Sequence, residues 1–382
     1  MSVGSAHSRL ADDLRRIGRE AGLDAVGICD AGPFADTRAA LEERKRLGLS
    51  AGMQFTYRNP ARSTDPEATL PGARALFVGV RRYLRQDPPA PPRGPSGRVA
   101  RYSWVDHYRP LRGALGTVAA ELVGAGWRAK VVADDNALVD RAAAVRAGIG
   151  WYGKNSNVLM PGAGSWFVIG SVITDAPIAP LTPPAPIGDG CGSCVRCLTA
   201  CPTGALVAPG RLDARKCLAW LVQAPGVFPL EHRVALGDRL YGCDDCQDCC
   251  PVNLRAQRRE APPDPEAGSE PTVDLLGLLR LDDTRLMELV GRWYIPQRQP
   301  RYVRRNALIV LGNTADPSDP GVAEVLRRAL ADPDPIVRAH AVWAAGRLGL
   351  VDLVRGLEND TDPLVADEIM HLPASRSAPG WR

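Results

Sequence analysis

The chain has 382 residues, 45% hydrophobic and 24% charged, with a formal net charge of +4. That length exceeds one ordinary core, so two or three domains are expected, and the small net charge does not by itself imply a polyanionic partner. No run of about eighteen uncharged apolar residues occurs, so no membrane-spanning helix is expected. Arg15-Arg16 is followed by Arg19, Glu20 and Asp24 instead of the apolar run of an export signal. The expected location is therefore cytoplasmic, a reducing compartment in which clustered cysteines are metal ligands more often than disulfides.

Residues 8–22 predict an amphipathic helix with Leu10, Leu14, Ile17 and Ala21 on one face and Gly22 as its stop. A buried strand follows at 25–29, with Cys29 as a small apolar side chain. A charged helix is expected at 35–48, a strand at 75–80, and an exposed loop at 87–97, where five prolines and two glycines stand. Leu111, Leu115, Val118 and Leu122 mark a helix over 111–125; a strand at 129–133, a helix at 138–148 and a strand at 166–173 complete the series. This alternation predicts an α/β domain over 1–180, with ligands at the carboxyl ends of its strands. Two stretches stand at such ends: Asp134-Asp135-Asn136, and the polar loop Gly150-Trp151-Tyr152-Gly153-Lys154-Asn155-Ser156-Asn157. Neither a G-x-G-x-x-G fingerprint nor a complete Walker motif is present.

After a proline-rich linker at 176–190 comes the densest chemistry in the chain. Nine of the ten cysteines lie between Cys191 and Cys250. Cys191, Cys194, Cys197 and Cys201-Pro202 follow the C-x2-C-x2-C-x3-C-P spacing of bacterial ferredoxins; Cys217 stands alone; Cys243, Cys246, Cys249 and Cys250-Pro251 form a second run. In such pairs the cysteine before proline crosses over to the other cluster. One four-iron cluster is therefore expected on Cys191, Cys194, Cys197 and Cys250. The other takes Cys201, Cys243, Cys246 and one more, for which Cys217 and Cys249 compete. Cys217 is favoured, because the second run without Cys249 still reads C-x2-C-x3-C-P, and neighbouring residues rarely both face the clusters. Two zinc sites are the weaker reading, since the crossover spacing and both Cys-Pro pairs point to iron–sulfur chemistry. This ferredoxin-like region is assigned to 181–260.

A second proline-rich linker at 261–271 leads to a helical region at 272–372. There Val303-Arg-Arg-Asn-Ala307 through Gly312 matches Val337-Arg-Ala-His-Ala341 through Gly346 at an offset of 34 residues, and Asp334-Pro335 recurs as Asp362-Pro363. Such repeats stack into a small HEAT-type solenoid. Arg292, Arg298, Arg301, Arg304 and Arg305, interleaved with Trp293, Tyr294 and Tyr302, suggest a nucleic-acid surface. Residues 373–382 are expected to be a disordered tail.

Together these parts resemble epoxyqueuosine reductases, the cobalamin-dependent tRNA-modifying enzymes. The resemblance rests on Val132-Ala-Asp134 followed by Asp140-Arg141, Ala147-Gly-Ile-Gly-Trp-Tyr-Gly-Lys-Asn155, and the first cysteine run ending Cys201-Pro-Thr-Gly-Ala205. It continues through Gly242-Cys-Asp-Asp-Cys246, Cys250-Pro-Val-Asn253 and Arg305-Asn-Ala-Leu-Ile-Val-Leu-Gly-Asn313. It implies three parts: an α/β cobalamin-binding domain, a ferredoxin-like domain with two 4Fe-4S clusters, and a HEAT-like domain that binds the tRNA anticodon stem-loop. It implies reduction of epoxyqueuosine to queuosine, with Asp134 as proton donor and with Tyr102, Asp134, Lys154, Asn155 and Ser156 at the cofactor. An external donor such as a flavodoxin or ferredoxin would feed the clusters of a monomer. The sequence departs from the family's usual pattern at Asn136-Ala137 and at Asp106-His107-Tyr108. The competing readings are a related small-molecule reductase, as in reductive dehalogenation, and a ferredoxin-like electron carrier.

Overall fold

The computed structural model describes residues 3–87 and 94–372, with side chains from residue 8 onward. Most of the expected loop at 87–97 and the expected disordered tail at 373–382 lie outside the described residues. The chain divides into two compact units. The first comprises Met1–Gln86, Asp106–Cys217 and Asp244–Glu266; the second comprises Asp87–Val105, Leu218–Cys243 and Ala267–Arg382.

The first unit is built on a four-stranded sheet in the order Ala25–Asp30, Ala75–Arg82, Phe167–Thr174, Ala129–Ala133. Side chains alternate across it as the two-residue period requires. Leu76, Val78 and Val80 share a core with Leu138 and with Ala142, Ala143 and Ala144 of the helix Asp140–Arg146. On the other face lie the helices Val3–Glu20 and Tyr108–Gly124, whose Leu14, Leu111, Leu115, Val118 and Leu122 are all fully buried. Gly79 and Gly170 are paired across two strands on that face. A Cβ at Gly79 would stand 2.7 Å from Leu23, and one at Gly170 would stand 2.7 Å from Leu115. Their bare backbone is what allows the helical layer to seat this close to the sheet.

Every neighbouring pair in this sheet is antiparallel. The expectation that ligand sites gather at the carboxyl ends of strands belongs to parallel sheets and needs correction here. The register explains what happens instead. Ala133 lies opposite Gly170, and Arg82 opposite Phe167. The ends of two strands and the start of a third therefore share one edge, where Asp134, Tyr83 and Trp166 emerge.

In the second unit, the strand Ser96–Val99 pairs in parallel with Arg239–Tyr241 and antiparallel with Thr272–Asp274. Ser96 and Gly97 were expected in a loop; composition hid the strand, because glycine ordinarily weakens one. Gly97 is needed because a Cβ there would come 2.6 Å from the Cβ of Leu240. The helices Arg301–Thr314, Pro320–Leu330, Pro335–Arg347 and Pro363–Met370 follow. Three of them open with an Asp-Pro pair. The aspartates Asp319, Asp334 and Asp362 accept bonds from the backbone N–H of Gly321, Ile336 and Leu364, and proline fills the first helical position, where no N–H is required. The first and third of these helices meet at Gly312, where a Cβ would stand 2.8 Å from the Trp343 ring.

The arginine-rich stretch, expected as an RNA surface, has partners within this unit. Arg292 pairs with Glu270 at 2.6 Å, Arg298 donates to the carbonyls of Gly291 and Trp293, Arg301 pairs with Asp334 and Arg304 with Asp283, while Arg305 is wholly buried. Trp293 is buried and stacks on Tyr241 at 4.5 Å, and Tyr302 is buried; Tyr294 is exposed. These charges and rings are mostly used within the fold itself.

Candidate functional site

In the first unit the chain leaves Ala129–Ala133 through Asp134 with φ of +53°, in the left-handed region that non-glycine residues rarely occupy. The loop is held from its flanks. The Ser63 hydroxyl donates to the Asn136 carbonyl at 2.6 Å, the Asp135 carboxylate accepts from the Ala137 N–H, and Arg112 donates to the Ala133 carbonyl at 3.0 Å. The Asp134 carboxyl itself makes no hydrogen bond or ion pair among the described residues and reaches solvent. The surrounding protein still raises its pKa, chiefly by desolvation, with Asp135 and Asp106 adding to the shift and Arg112 opposing it.

Two neighbours share that environment. Burial raises the Asp140 carboxyl well above the usual range, with Asp134 the next cause, and burial likewise raises the Tyr108 phenol, with Asp134 and then Asp140 adding to it. Tyr108 belongs to the Asp106-His107-Tyr108 stretch, whose Asp106 accepts from the backbone N–H of Tyr108 and Arg109 at the start of the helix Tyr108–Gly124. Asp134, Asp140 and Tyr108 thus form an electrostatically coupled cluster at the sheet edge, in which burial favours the protonated forms.

Arg141 links this cluster to the 150–157 loop by donating to the Ser156 carbonyl at 3.1 Å. That loop closes a hairpin in which Trp151–Tyr152 pairs with Val158–Leu159. Gly150 permits the close approach of the second strand, since a Cβ would stand 2.2 Å from the Leu159 carbonyl oxygen. Ser156 has φ of +66°, and its buried hydroxyl has no hydrogen-bond partner among the described residues. Tyr152 is half-exposed.

Lys154 and Asn155, expected at a cofactor, bond to the cysteine loops. Lys154 Nζ donates to the Gly192 carbonyl at 2.5 Å, and Asn155 Nδ2 to the Cys246 carbonyl at 3.3 Å. The Gly-Lys-Asn motif thereby ties this loop to both cysteine runs. Tyr102 lies in the second unit, where its hydroxyl accepts from Gln223 at 3.0 Å.

Within the first unit, Cys250, Cys191 and Cys194 are the thiols that act electrostatically on Cys197, whose pKa is raised first by burial and then by them. Cys250, Trp151 and Leu159 form an apolar wall with Ile187, Cys191 and Val252. Cys249 lies close to Cys197 and Cys250, and burial pushes its thiol up to about 11. Cys201 accepts from the Ala205 N–H at 3.2 Å. Cys217 ends a segment of the first unit, and Cys243 belongs to the second. Among the described residues no three Cys, His, Asp or Glu side chains converge as for a single metal ion. A four-iron cluster is a larger object, whose thiolates need not converge on one point.

Sequence reasoning missed the residues that fix the second run. Asn253 is fully buried; it donates to the Gln247 carbonyl at 2.8 Å and to Ser165 Oγ at 3.0 Å, and accepts from the Ser165 N–H at 2.7 Å. Gln247 donates in turn to the Ser165 carbonyl and, at 3.4 Å, to the Tyr83 hydroxyl. The Cys-Pro-Val-Asn motif was the visible signal, but its asparagine also depends on Ser165, 88 residues away in the chain.

Comparison with known proteins supplies the class. Residues 190–253 match the 4Fe-4S double cluster binding domain family, and residues 295–372 match HEAT repeats. The chain is an iron–sulfur oxidoreductase with a C-terminal helical repeat. It is 32% identical to the epoxyqueuosine reductase of Bacillus cereus, over 95% of each chain. An epoxyqueuosine reductase solved with a tRNA-Tyr epoxyqueuosine-modified tRNA stem loop superposes with a TM-score of 0.86 at 31% identity, covering 95% of this chain and 98% of that one. The Bacillus subtilis enzyme, solved with its Asp134 catalytic loop swung out of the active site, gives 0.84 at 31% identity, with the same coverage. The chain belongs to the epoxyqueuosine reductase family. No helix among the described residues is long and apolar enough to cross a membrane.

Proposed function

We propose that this chain reduces the epoxide of epoxyqueuosine in a tRNA anticodon stem-loop, giving queuosine, with Asp134 as a proton donor. In this reaction both epoxide C–O bonds break, a C=C bond forms, and the oxygen leaves as water, which consumes two electrons and two protons. The observation that carries the reading is the Asp134 carboxyl: unpaired, at the sheet edge, raised by desolvation, and linked through Arg141 to a loop bonded to both cysteine runs. A carboxyl whose surroundings favour its acid form is suited to general-acid catalysis. The relatives solved with a modified tRNA stem loop and with a mobile catalytic loop support the same assignment.

In this reading Cys191, Cys194, Cys197 and Cys250 hold one 4Fe-4S cluster, and Cys201, Cys217, Cys243 and Cys246 the other, fed by an external one-electron donor protein. The loop residues fit a cobalamin as the third redox group. Ser156 offers a buried hydroxyl without a partner, and Tyr152 a half-exposed ring. Lys154 and Asn155 hold the loop against the cysteine runs. When bound, cobalamin supplies a centre that collects reducing equivalents delivered singly. Asp134 then serves as the proton source, beside the electrostatically coupled Tyr108 and Asp140.

The test is a gene deletion followed by mass spectrometry of tRNA nucleosides. Epoxyqueuosine should accumulate and queuosine disappear, and both should return to normal on complementation. An unchanged nucleoside profile would overturn the reading.

A further inference from the structure

We infer that the helical repeats act as the scaffold that sets the Cys217–Cys243 segment, with Arg305 as its central positioning residue, so that the second cluster depends on the repeats. The inference rests on the reading of Cys217 and Cys243 as cluster ligands.

The segment has little regular structure of its own: the short helices Leu218–Leu221 and Leu230–Leu236 and the strand Arg239–Tyr241. The backbone between them must find partners elsewhere. Arg305 provides many of them. One of its terminal nitrogens donates to the carbonyls of Ala224 at 2.8 Å and Gly226 at 2.6 Å, and the other to those of Leu221 at 3.1 Å and Val222 at 3.4 Å. It also donates to Asn306 Oδ1, at 3.1 Å from Nε and 2.9 Å from a terminal nitrogen, and lies over the Tyr302 ring at 5.2 Å. No carboxylate is among these partners. A buried guanidinium held by carbonyls alone serves a backbone conformation, since a salt bridge would need an acid.

The repeats extend the pattern. Asn306 donates to the Val222 carbonyl at 2.8 Å, and Asn313 donates to the Arg233 carbonyl at 2.8 Å. His340 Nε2 accepts from the Phe228 N–H at 3.2 Å while Nδ1 donates to the Ile336 carbonyl at 2.7 Å, which fixes the neutral Nδ1–H tautomer. Asn306 and His340 occupy the same position of the Val-Arg-x-x-Ala repeat, so successive repeats present a polar side chain to one segment in register. Arg233 closes the set by donating to the Phe228 carbonyl at 3.0 Å and pairing with the buried Glu368 at 2.5 Å. Both ends of the segment so held carry a predicted ligand. Cys217 directly precedes it, and Cys243 ends it, partly buried against the same core.

The experiment uses the full chain, reconstituted anaerobically with iron and sulfide, with iron per chain and the electron paramagnetic resonance of the reduced clusters as readouts and circular dichroism as the check on folding. Arg305→Met and, as the milder variant, His340→Leu should fall from about eight irons toward about four with the first cluster's signal intact. Arg305→Lys, which keeps the charge but reaches fewer carbonyls, should lie between. Arg304→Ala should keep about eight. Folded Arg305→Met or His340→Leu protein that retains the full iron complement, or loses both clusters in equal measure, overturns the inference. Cys217→Ala is run alongside: if it too keeps every iron, the ligand reading has failed, and the inference falls with it.

Discussion

Two stretches of this chain concentrate charge, and the fold treats them in opposite ways. Around Arg292–Arg305 each guanidinium finds a carbonyl, a carboxylate or a side-chain amide of its own unit. Around Asp134–Ser156 the central carboxyl and the Ser156 hydroxyl are left without partners among the described residues. Local density of charge is the same kind of signal in both. What separates a reactive stretch from a structural one is whether each polar group has already been satisfied.

The largest expected effect tests the open side of that contrast. Asp134→Asn should retain cobalamin binding, seen by its absorbance, and lose turnover by roughly 10²–10⁴-fold, the usual size of a general-acid contribution. Wild-type turnover would remove Asp134 from the chemistry. The acid form is the active one, and desolvation raises its pKa, so single-turnover rates should be flat at low pH and fall about tenfold per pH unit above the carboxyl's pKa. Arg112 opposes the shift, so Arg112→Met should move that break to higher pH; a break that moves lower would contradict the assigned electrostatics. On the closed side, Arg305→Met removes charged hydrogen bonds to the carbonyls of Leu221, Ala224 and Gly226, each worth about 1.5–3 kcal/mol. Arg304→Ala breaks a pair whose acid, Asp283, is 70% exposed and a single bond to the Leu281 carbonyl, and should cost about 1–2 kcal/mol in urea unfolding. Equal losses would erase the distinction between the two arginines. The smallest effect concerns RNA. Arg301→Ala and Arg304→Ala should weaken binding of a tRNA stem-loop by less than about twofold, since each guanidinium is already paired with a carboxylate of its own unit instead of a phosphate. A tenfold loss in a filter-binding titration would show that these pairs open to meet RNA.

Much of the fold could be read from the residues. The sheet strands and their helices fall within a few positions of expectation because apolar periodicity reports burial directly. The Asp-Pro helix starts and the double-cluster spacing were visible for the same local reason. What escaped were matters of pairing. Strand direction depends on register, which no single segment carries. Ser96–Val99 was hidden by the glycine its neighbour requires. The roles of Lys154, Asn253 and Arg305 depend on partners dozens of residues away. A basic and aromatic composition does not say which way the side chains turn.

The glycine pair beneath the helical layer has a further consequence for how this sheet tolerates variation. Gly79 and Gly170 face each other in register, with leucine side chains within 2.7 Å of where any Cβ would stand. In a saturation-mutagenesis library scored for tRNA modification, these two sites should be depleted of nearly every alternative, alanine included. Exposed Lys130, on the edge strand of the same sheet, should accept most residues. The tightest bottleneck for sequence drift in this sheet would then lie at two positions that carry no side chain.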